Sequence, residues 1–104
     1  MTIYEVNIDL DPDIQDTYRE WLTPHIREIL KFEGFLEASV FTRESDNEKI
    51  GLTVHYRARN RAAVEGYLEN HSARFRKDAS DRFGGRFSAK RRILEESESV
   101  RAGS

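Results

Sequence analysis

Four stretches of the chain alternate apolar and polar residues, a pattern typical of half-buried β-strands. The first covers residues 3–10 and the second residues 35–43. The third and fourth cover residues 49–58 and 86–94, and a polar turn at 45–48 joins the two middle strands as a hairpin. Because successive side chains of a strand point to opposite sides, each strand is predicted to direct one apolar row into a core.

Between the first two strands, apolar residues recur every three or four positions, which predicts an amphipathic helix. The helix is predicted to begin at Asp11-Pro12, since aspartate caps free amides and proline fits the first turn. Gly34 is predicted to end it. Pro24 interrupts the apolar stripe, so we expect a kink there or a restart of the helix with Thr23 as a second cap.

A second helical repeat follows the third strand. Asn60 is predicted to cap its start and Gly84-Gly85 to end it. The apolar stripe of this single long helix comprises Val64, Tyr67, Leu68, His71, Phe75, Ala79 and Phe83. The glycine pair follows a helix and precedes a strand, the reverse of a phosphate-binding loop. No motif in the chain predicts a cofactor.

The order of these elements predicts an α+β fold, the ferredoxin-like βαββαβ sandwich. Right-handed crossovers place both helices on one face of a four-stranded antiparallel sheet of order 4-1-3-2. The chain of 104 residues has room for one domain, predicted to span residues 2–94. Residues 95–104 carry no periodic pattern and are predicted to form a disordered tail.

Charge is divided unevenly along the chain. Residues 1–54 hold 5 basic and 12 acidic side chains, whereas residues 55–94 hold 11 basic and 4 acidic ones. In the predicted sheet the acidic first strand lies between the basic third and fourth strands. Glu5 and Asp9 are therefore expected to pair with basic residues across neighbouring strands, which favours neutralisation within the sheet over a polyanionic partner.

Several classes of function are disfavoured. RNA-recognition modules of this topology stack bases on aromatic residues of the two central strands, but here those positions hold Glu5, Asn7, Thr53 and His55. No nucleic-acid partner is therefore predicted. The sequence contains no cysteine, and no apolar run approaches the ~20 residues that span a bilayer. A cytoplasmic protein without a membrane partner is predicted.

The most suggestive polar residues lie on the open face of the central strands. Glu5, Asn7, His55 and Arg57 share one parity there, and Arg92 of the fourth strand extends the set. A carboxylate, an amide, an imidazole and guanidinium groups are able to bind a small polar or anionic molecule, with His55 as an acid or base. The alternative is that they form a polar face at a wet dimer interface.

Three residues on the helix-facing side carry further alternatives. His25 and His71 lie in the apolar stripes of different helices, which favours packed histidines over a shared metal site. Arg91 has the inward parity of the fourth strand. It either extends to solvent at the end of the sheet or holds an acidic ligand in the helix-facing cleft.

Six short segments carry a resemblance to a known family: IYEVN at 3–7, WL at 21–22, GFLEA at 34–38, HYR at 55–57, RFGGRF at 82–87 and RRIL at 91–94. Over residues 2–94 the chain resembles a small bacterial family catalogued only as a domain of unknown function. The resemblance implies a ferredoxin-like fold and kinship to dimeric α+β-barrel proteins, some of which are cofactor-free monooxygenases or isomerases. None of their catalytic motifs is found in this sequence.

These observations lead to two hypotheses for function. The first is a homodimeric domain that binds a small polar or anionic ligand or a protein partner, its dimer face including Ile3, Phe35 and Phe41. The alternative is a cofactor-independent monooxygenase or isomerase that acts on a small aromatic substrate. An enclosed, largely apolar pocket with a few convergent polar groups would favour the enzyme.

Overall fold

A computed structural model describes residues 1–45 and 47–103 of the chain. Asp46 of the predicted polar turn and Ser104 of the predicted tail lie outside the described residues. The helices and strands are, in chain order, β1 (Thr2–Leu10), α1 (Gln15–Ile29), β2 (Phe35–Arg43), β3 (Ile50–Ala58), α2 (Arg61–Asn70), α3 (Ser72–Phe83) and β4 (Phe87–Glu95). A short 3-10 turn, Pro12–Ile14, precedes α1, and a second, Gly84–Arg86, precedes β4.

The four strands form one antiparallel sheet of order β2-β3-β1-β4, which confirms the predicted topology. Both ladders of β1 run its whole length, so the central strand is paired from Thr2 to Leu10 on each side. The helices cover one face of the sheet, called here the helix face. The other face, called the open face, has no element of the described chain packed on it.

The core lies between the helices and the helix face, and it is rich in aromatic rings. Tyr4 of β1 stacks on Tyr56 of β3 with ring centroids 5.7 Å apart, and Tyr67 of α2 packs on Tyr4 at 6.0 Å. From α1, Leu22 and Ile26 are buried against these residues. Burial of such side chains contributes about 1.5–3 kcal/mol each, so the apolar rows decide which face of each strand points inward.

Helix α1 differs from the prediction at Pro24 and at its C-terminal end. It continues through Pro24 as one helix, so of the two expected alternatives, a kink or a restart at Thr23, the restart is wrong. Packing of the helix against the sheet on both sides of the proline outweighs the loss of one backbone hydrogen bond. The helix ends at Ile29, and Gly34 instead forms the turn before β2 with a φ of 90°. A Cβ at Gly34 would lie 2.3 Å from the Cβ of Ala63, so close approach also requires glycine there.

The predicted second helix is two helices. Asn60 caps α2 as expected, its side-chain oxygen accepting from the Ala63 amide at 3.0 Å. The chain then breaks at His71, which has the non-helical angles φ −133° and ψ −28°. The His71 ring stacks on Phe32 with centroids 4.0 Å apart, while the Ser72 hydroxyl donates to the Leu68 carbonyl at 2.8 Å. These two contacts stabilise the non-helical conformation of the chain at the break.

A bulge in β2 moves Phe35 away from the open face. Phe35 pairs with Ala58 and Glu37 pairs with Arg57, so Leu36 is the extra residue. One added residue reverses the direction of side chains before it. Phe35 is therefore buried on the helix face, and its predicted place in a dimer face is wrong.

Candidate functional site

Glu5 lies at the centre of a polar network on the open face. The strand register puts it opposite His55 of β3 on one side and Arg92 of β4 on the other. His55 Nε2 is 2.7 Å from Glu5 Oε2, and Arg92 Nε donates to Glu5 Oε1 at 2.5 Å. Asn7 Nδ2 donates to the same Oε1 at 2.7 Å. Four of the five predicted site residues therefore meet.

This carboxylate is buried and already has its full set of partners. Its residue is only 5% exposed. Burial alone raises the pKa of Glu5, but hydrogen bonds from Asn7, Arg92 and His55 outweigh burial and lower the pKa to about 2. The Asn7 oxygen in turn accepts from the Thr53 hydroxyl at 2.6 Å. The groups of this network bind one another, which is what a structural cluster requires.

Arg57 is the predicted site residue that the structure separates from the others. It lies opposite Ile3 on β1, two residue pairs beyond the pair of Glu5 and His55. Its Nε is 3.5 Å from Glu37 Oε1, and both side chains are largely exposed. The structure thus brings Glu5, Asn7, His55 and Arg92 together and leaves Arg57 outside the network, while the ligand-binding role of these residues stays a prediction.

A second polar environment lies on the opposite side of the sheet, in a cavity of about 40 Å³ between the helices and the strands. That volume holds roughly three water molecules. Four buried tyrosines line it, namely Tyr4, Tyr18, Tyr56 and Tyr67, each 2–4% exposed. Among residues 1–45 and 47–103, none of their hydroxyls forms a hydrogen bond with another protein group, and no fully buried side-chain oxygen or nitrogen lacks a partner, so these hydroxyl oxygens retain accessible surface. The four hydroxyls are therefore able to bind water or a guest.

His25 forms part of the cavity wall together with Trp21 and Phe75. The imidazole stacks on the indole of Trp21 at 4.3 Å and meets the ring of Phe75 edge-on at 5.2 Å. Burial lowers the pKa of His25 to about 4; the Asp78 carboxylate acts against this shift, and the positive charge of Arg91 adds to it. The ring is therefore neutral near pH 7 and able to accept a hydrogen bond.

The same three wall residues also line an external groove of about 640 Å³ between α1 and α3. Trp21 Nε1 donates to Asp78 Oδ2 at 3.0 Å, which joins the two helices across the groove. Burial raises the pKa of Asp78, but hydrogen bonds from Trp21 and Arg82 bring it below its usual value. The wall between cavity and groove is therefore one layer of side chains thick.

Arg91 has the inward direction that its parity predicted. It pairs with Val6 of β1 and lines the cavity beside Arg76 of α3. His71, by contrast, lies away from His25 and stacks on Phe32. Within the described part of the chain, no group of three or more His, Asp or Glu residues has the geometry of a metal site.

Comparison with known proteins places the chain in a family. Its sequence matches the model described as "Domain of unknown function (DUF4286)" over residues 1–97. The chain belongs to this family. No curated protein matches the sequence of this DUF4286 domain. None of the described helices is long and apolar enough to cross a membrane.

Solved structures resemble the DUF4286 domain in fold. A dimeric ferredoxin-like protein from an uncultured marine organism matches with a TM-score of 0.74 and 13% identity, over 95% of this chain and 97% of its own. A protein from Deinococcus radiodurans, described provisionally as an antibiotic biosynthesis monooxygenase, matches with a TM-score of 0.73 and 15% identity over 100% of both chains. SnoaB, a cofactor-independent oxygenase from Streptomyces nogalater, matches with a TM-score of 0.69 and 11% identity over 95% and 96%. At these identities the likeness confirms the ferredoxin-like fold alone.

The sequence analysis missed the tyrosines as candidate site residues, because it assigned them to the core. Their positions are core positions, and only their chemistry differs from that of leucine or isoleucine. Tyr4 and Tyr56 occupy inward positions of the two central strands, and Tyr67 occupies the inward stripe of α2. Several inward tyrosines in so small a domain were a signal that a polar space exists inside it.

Proposed function

We propose that this domain binds a small aromatic ligand with polar substituents in the cavity between the helices and the sheet. The observation that carries the proposal is the set of four buried tyrosines that line one cavity and whose hydroxyls have no protein partner among the described residues. Aromatic walls pack against a planar ring, while the hydroxyls bind its polar groups. The open-face network offers less to a ligand, since its groups already bind one another.

An aromatic ring is larger than the few water molecules that the cavity holds, so the cavity must widen to bind one. The thin wall of side chains allows this widening. Trp21, His25 and Phe75 are only half-buried, and they separate the cavity from the groove between α1 and α3. Outward rotation of these side chains would join the two spaces. The joined space would accommodate a molecule of one or two rings, since the groove adds about 640 Å³ to the cavity.

Homodimerisation through the open face is the second part of the proposal. Phe41 is 48% exposed there and packs edge-on against His55 at 5.2 Å. Ile3 lies on the same face and is incompletely buried. A second copy would cover these apolar residues and the adjoining polar network. A protein partner of another kind in place of the second copy is the competing outcome, and the cytoplasmic location stays a prediction.

Cofactor-independent oxygenation is a second candidate function, favoured by one observation. His25 presents a neutral imidazole to an aromatic cavity, where it is able to accept a hydrogen bond from a phenol hydroxyl. Such a hydrogen bond raises the electron density of the phenol ring, which favours its reaction with oxygen. The structurally similar SnoaB is described as such an oxygenase.

A thermal-shift screen of phenols, hydroxybenzamides and hydroxybenzoates tests the binding proposal. Binding to the folded state raises the melting temperature by mass action. We expect a ligand-dependent rise in the wild type that is weakened in Tyr67→Phe, which removes one cavity hydroxyl. Absence of any rise across the screen would reject the proposal. Oxygen uptake with hits that is lost in His25→Phe would favour the oxygenase over a binding domain.

A further inference from the structure

We propose that the ligand of the cavity is an aromatic acid, whose carboxylate binds Arg91 and Arg76 at the mouth while its ring enters between the tyrosines. This inference rests on the proposed function and specifies its ligand class. It also specifies the orientation of the bound molecule, with the acid group toward solvent and the ring inside the cavity. The charge, exposure and pairing of the two arginines each support it.

Exposure locates the mouth. The residues that line the cavity are buried or half-buried, with two exceptions, Arg76 of α3 and Arg91 of β4. β4 is an edge strand of the sheet, so the cavity opens where α3 passes over that edge. Both guanidinium groups therefore stand between the cavity and solvent. A ligand entering there meets two positive charges before it meets the aromatic walls.

The two arginines combine a place in the cavity wall with the absence of a carboxylate partner among the described residues. Arg74 and Lys90 also lack an ion pair with any described carboxylate, but neither of them lines the cavity. On α3, Lys77 pairs with Asp81 at 2.7 Å and Arg82 with Asp78 at 3.1 Å. On β4, Arg92 pairs with Glu5. Among the described residues, no carboxylate oxygen lies within 4.0 Å of a guanidinium nitrogen of Arg76 or Arg91. Two cations at one mouth without an anion are a binding site for one, and the guanidinium fork fits a carboxylate in bidentate fashion.

The electrostatic effect of Arg91 reaches the interior of the cavity. Burial raises the pKa of Tyr18 to about 12, and the positive charge of Arg91 acts against that rise. Arg91 acts in the same direction on Tyr56 and Tyr67, whose pKa burial also raises, and Arg76 does so on Tyr67. Arg76 and Arg91 line the same cavity as the four tyrosines, so one small molecule in that cavity would be able to contact both kinds of group.

Matched acids and amides test this inference. We would measure by calorimetry the binding of 4-hydroxybenzoate against 4-hydroxybenzamide, and of 2-naphthoate against 2-naphthamide, at low salt. The acid of each pair is expected to bind the wild type at least ~10-fold more tightly than the amide. Arg91→Gln should reduce this preference to about 2-fold or less, and Arg76→Gln should reduce it in part. Arg19→Gln, an exposed arginine of α1 outside the cavity, is the control and should keep the full preference.

The outcomes separate the inference from the function on which it rests. Equal binding of acid and amide to the wild type would overturn the acid assignment and leave the binding function in place. An acid preference that survives in the Arg76→Gln/Arg91→Gln double variant would overturn the role of the two arginines. If neither member of either pair binds, both the inference and the proposed function fail. Melting curves without ligand check that each variant is folded.

Discussion

The polar groups on the two faces of the sheet differ in whether they have protein partners. On the open face, Glu5 is buried and accepts from Asn7 and Arg92 while it contacts His55. On the helix face, four buried tyrosines line a cavity, and their hydroxyls have no protein partner among the described residues. A satisfied polar cluster stabilises a fold, whereas hydroxyls that face a cavity are free to bind water or a ligand. The comparison therefore supports a structural role for the first cluster and the proposed binding role for the second.

The largest expected effect is on the open face. Glu5→Gln should lower the free energy of unfolding at pH 7 by roughly 3 kcal/mol, because a pKa drop from 4.5 to about 2 is worth 1.36 kcal/mol per unit. Denaturant melts measure this loss. Glu37→Gln, which breaks only an exposed ion pair with Arg57, is the control and should cost less than ~1 kcal/mol. Equal losses in the two variants would contradict a special role for Glu5.

Lowering the pH should reduce the contributions of the two faces to the free energy of unfolding in different pH ranges. The pKa of His25 is lowered in the folded state to about 4, so its contribution is fully present above pH 6.5 and is lost as pH falls toward 4. The pKa of Glu5 is also lowered, so its contribution is present above pH 4.5 and is lost as pH falls toward 2.

We expect about 2 kcal/mol from the His25 window, less than 1.36 kcal/mol per pKa unit would give, because solvent reaches the half-buried ring. Unfolding free energies of the wild type and His25→Phe from pH 7 to 4 measure it. The variant should be flatter over that range, and Glu5→Gln should be flatter only below it. If the free energy of unfolding changes with pH identically in the wild type and in His25→Phe, His25 does not contribute to the pH dependence of stability.

The smallest effect concerns single hydroxyl groups. Tyr67→Phe removes a hydroxyl without a protein partner, so stability should change by less than ~0.5 kcal/mol. Thr53→Val removes a buried hydroxyl that donates to Asn7 and accepts from Arg43, so it should cost about 1–2 kcal/mol. Denaturant melts of the two variants compare the faces directly. A larger loss for Tyr67→Phe would mean that its hydroxyl has a structural partner.

The strands and their order followed from the sequence because period-two alternation is a local signal. The break at His71 did not, because it depends on stacking against Phe32, which is remote in sequence. Parity placed Glu5 and His55 on one face, but only the strand register selects Arg92 over Arg57 as a partner. The cavity could not be predicted for the same reason, since inward tyrosines resemble ordinary core residues until the packed structure shows that four of them line one cavity.

One measurement tests the central claim most directly, and the chain supplies its own control. Arg91 and Arg92 are adjacent on β4, yet Arg91 lines the cavity and Arg92 binds Glu5 on the open face. The thermal shift produced by 4-hydroxybenzoate would be compared in Arg91→Gln and Arg92→Gln. The account predicts that Arg91→Gln loses the shift and that Arg92→Gln keeps it from a lower starting melting temperature. Loss of the shift in Arg92→Gln with retention in Arg91→Gln would contradict the account and return the binding site to the open face.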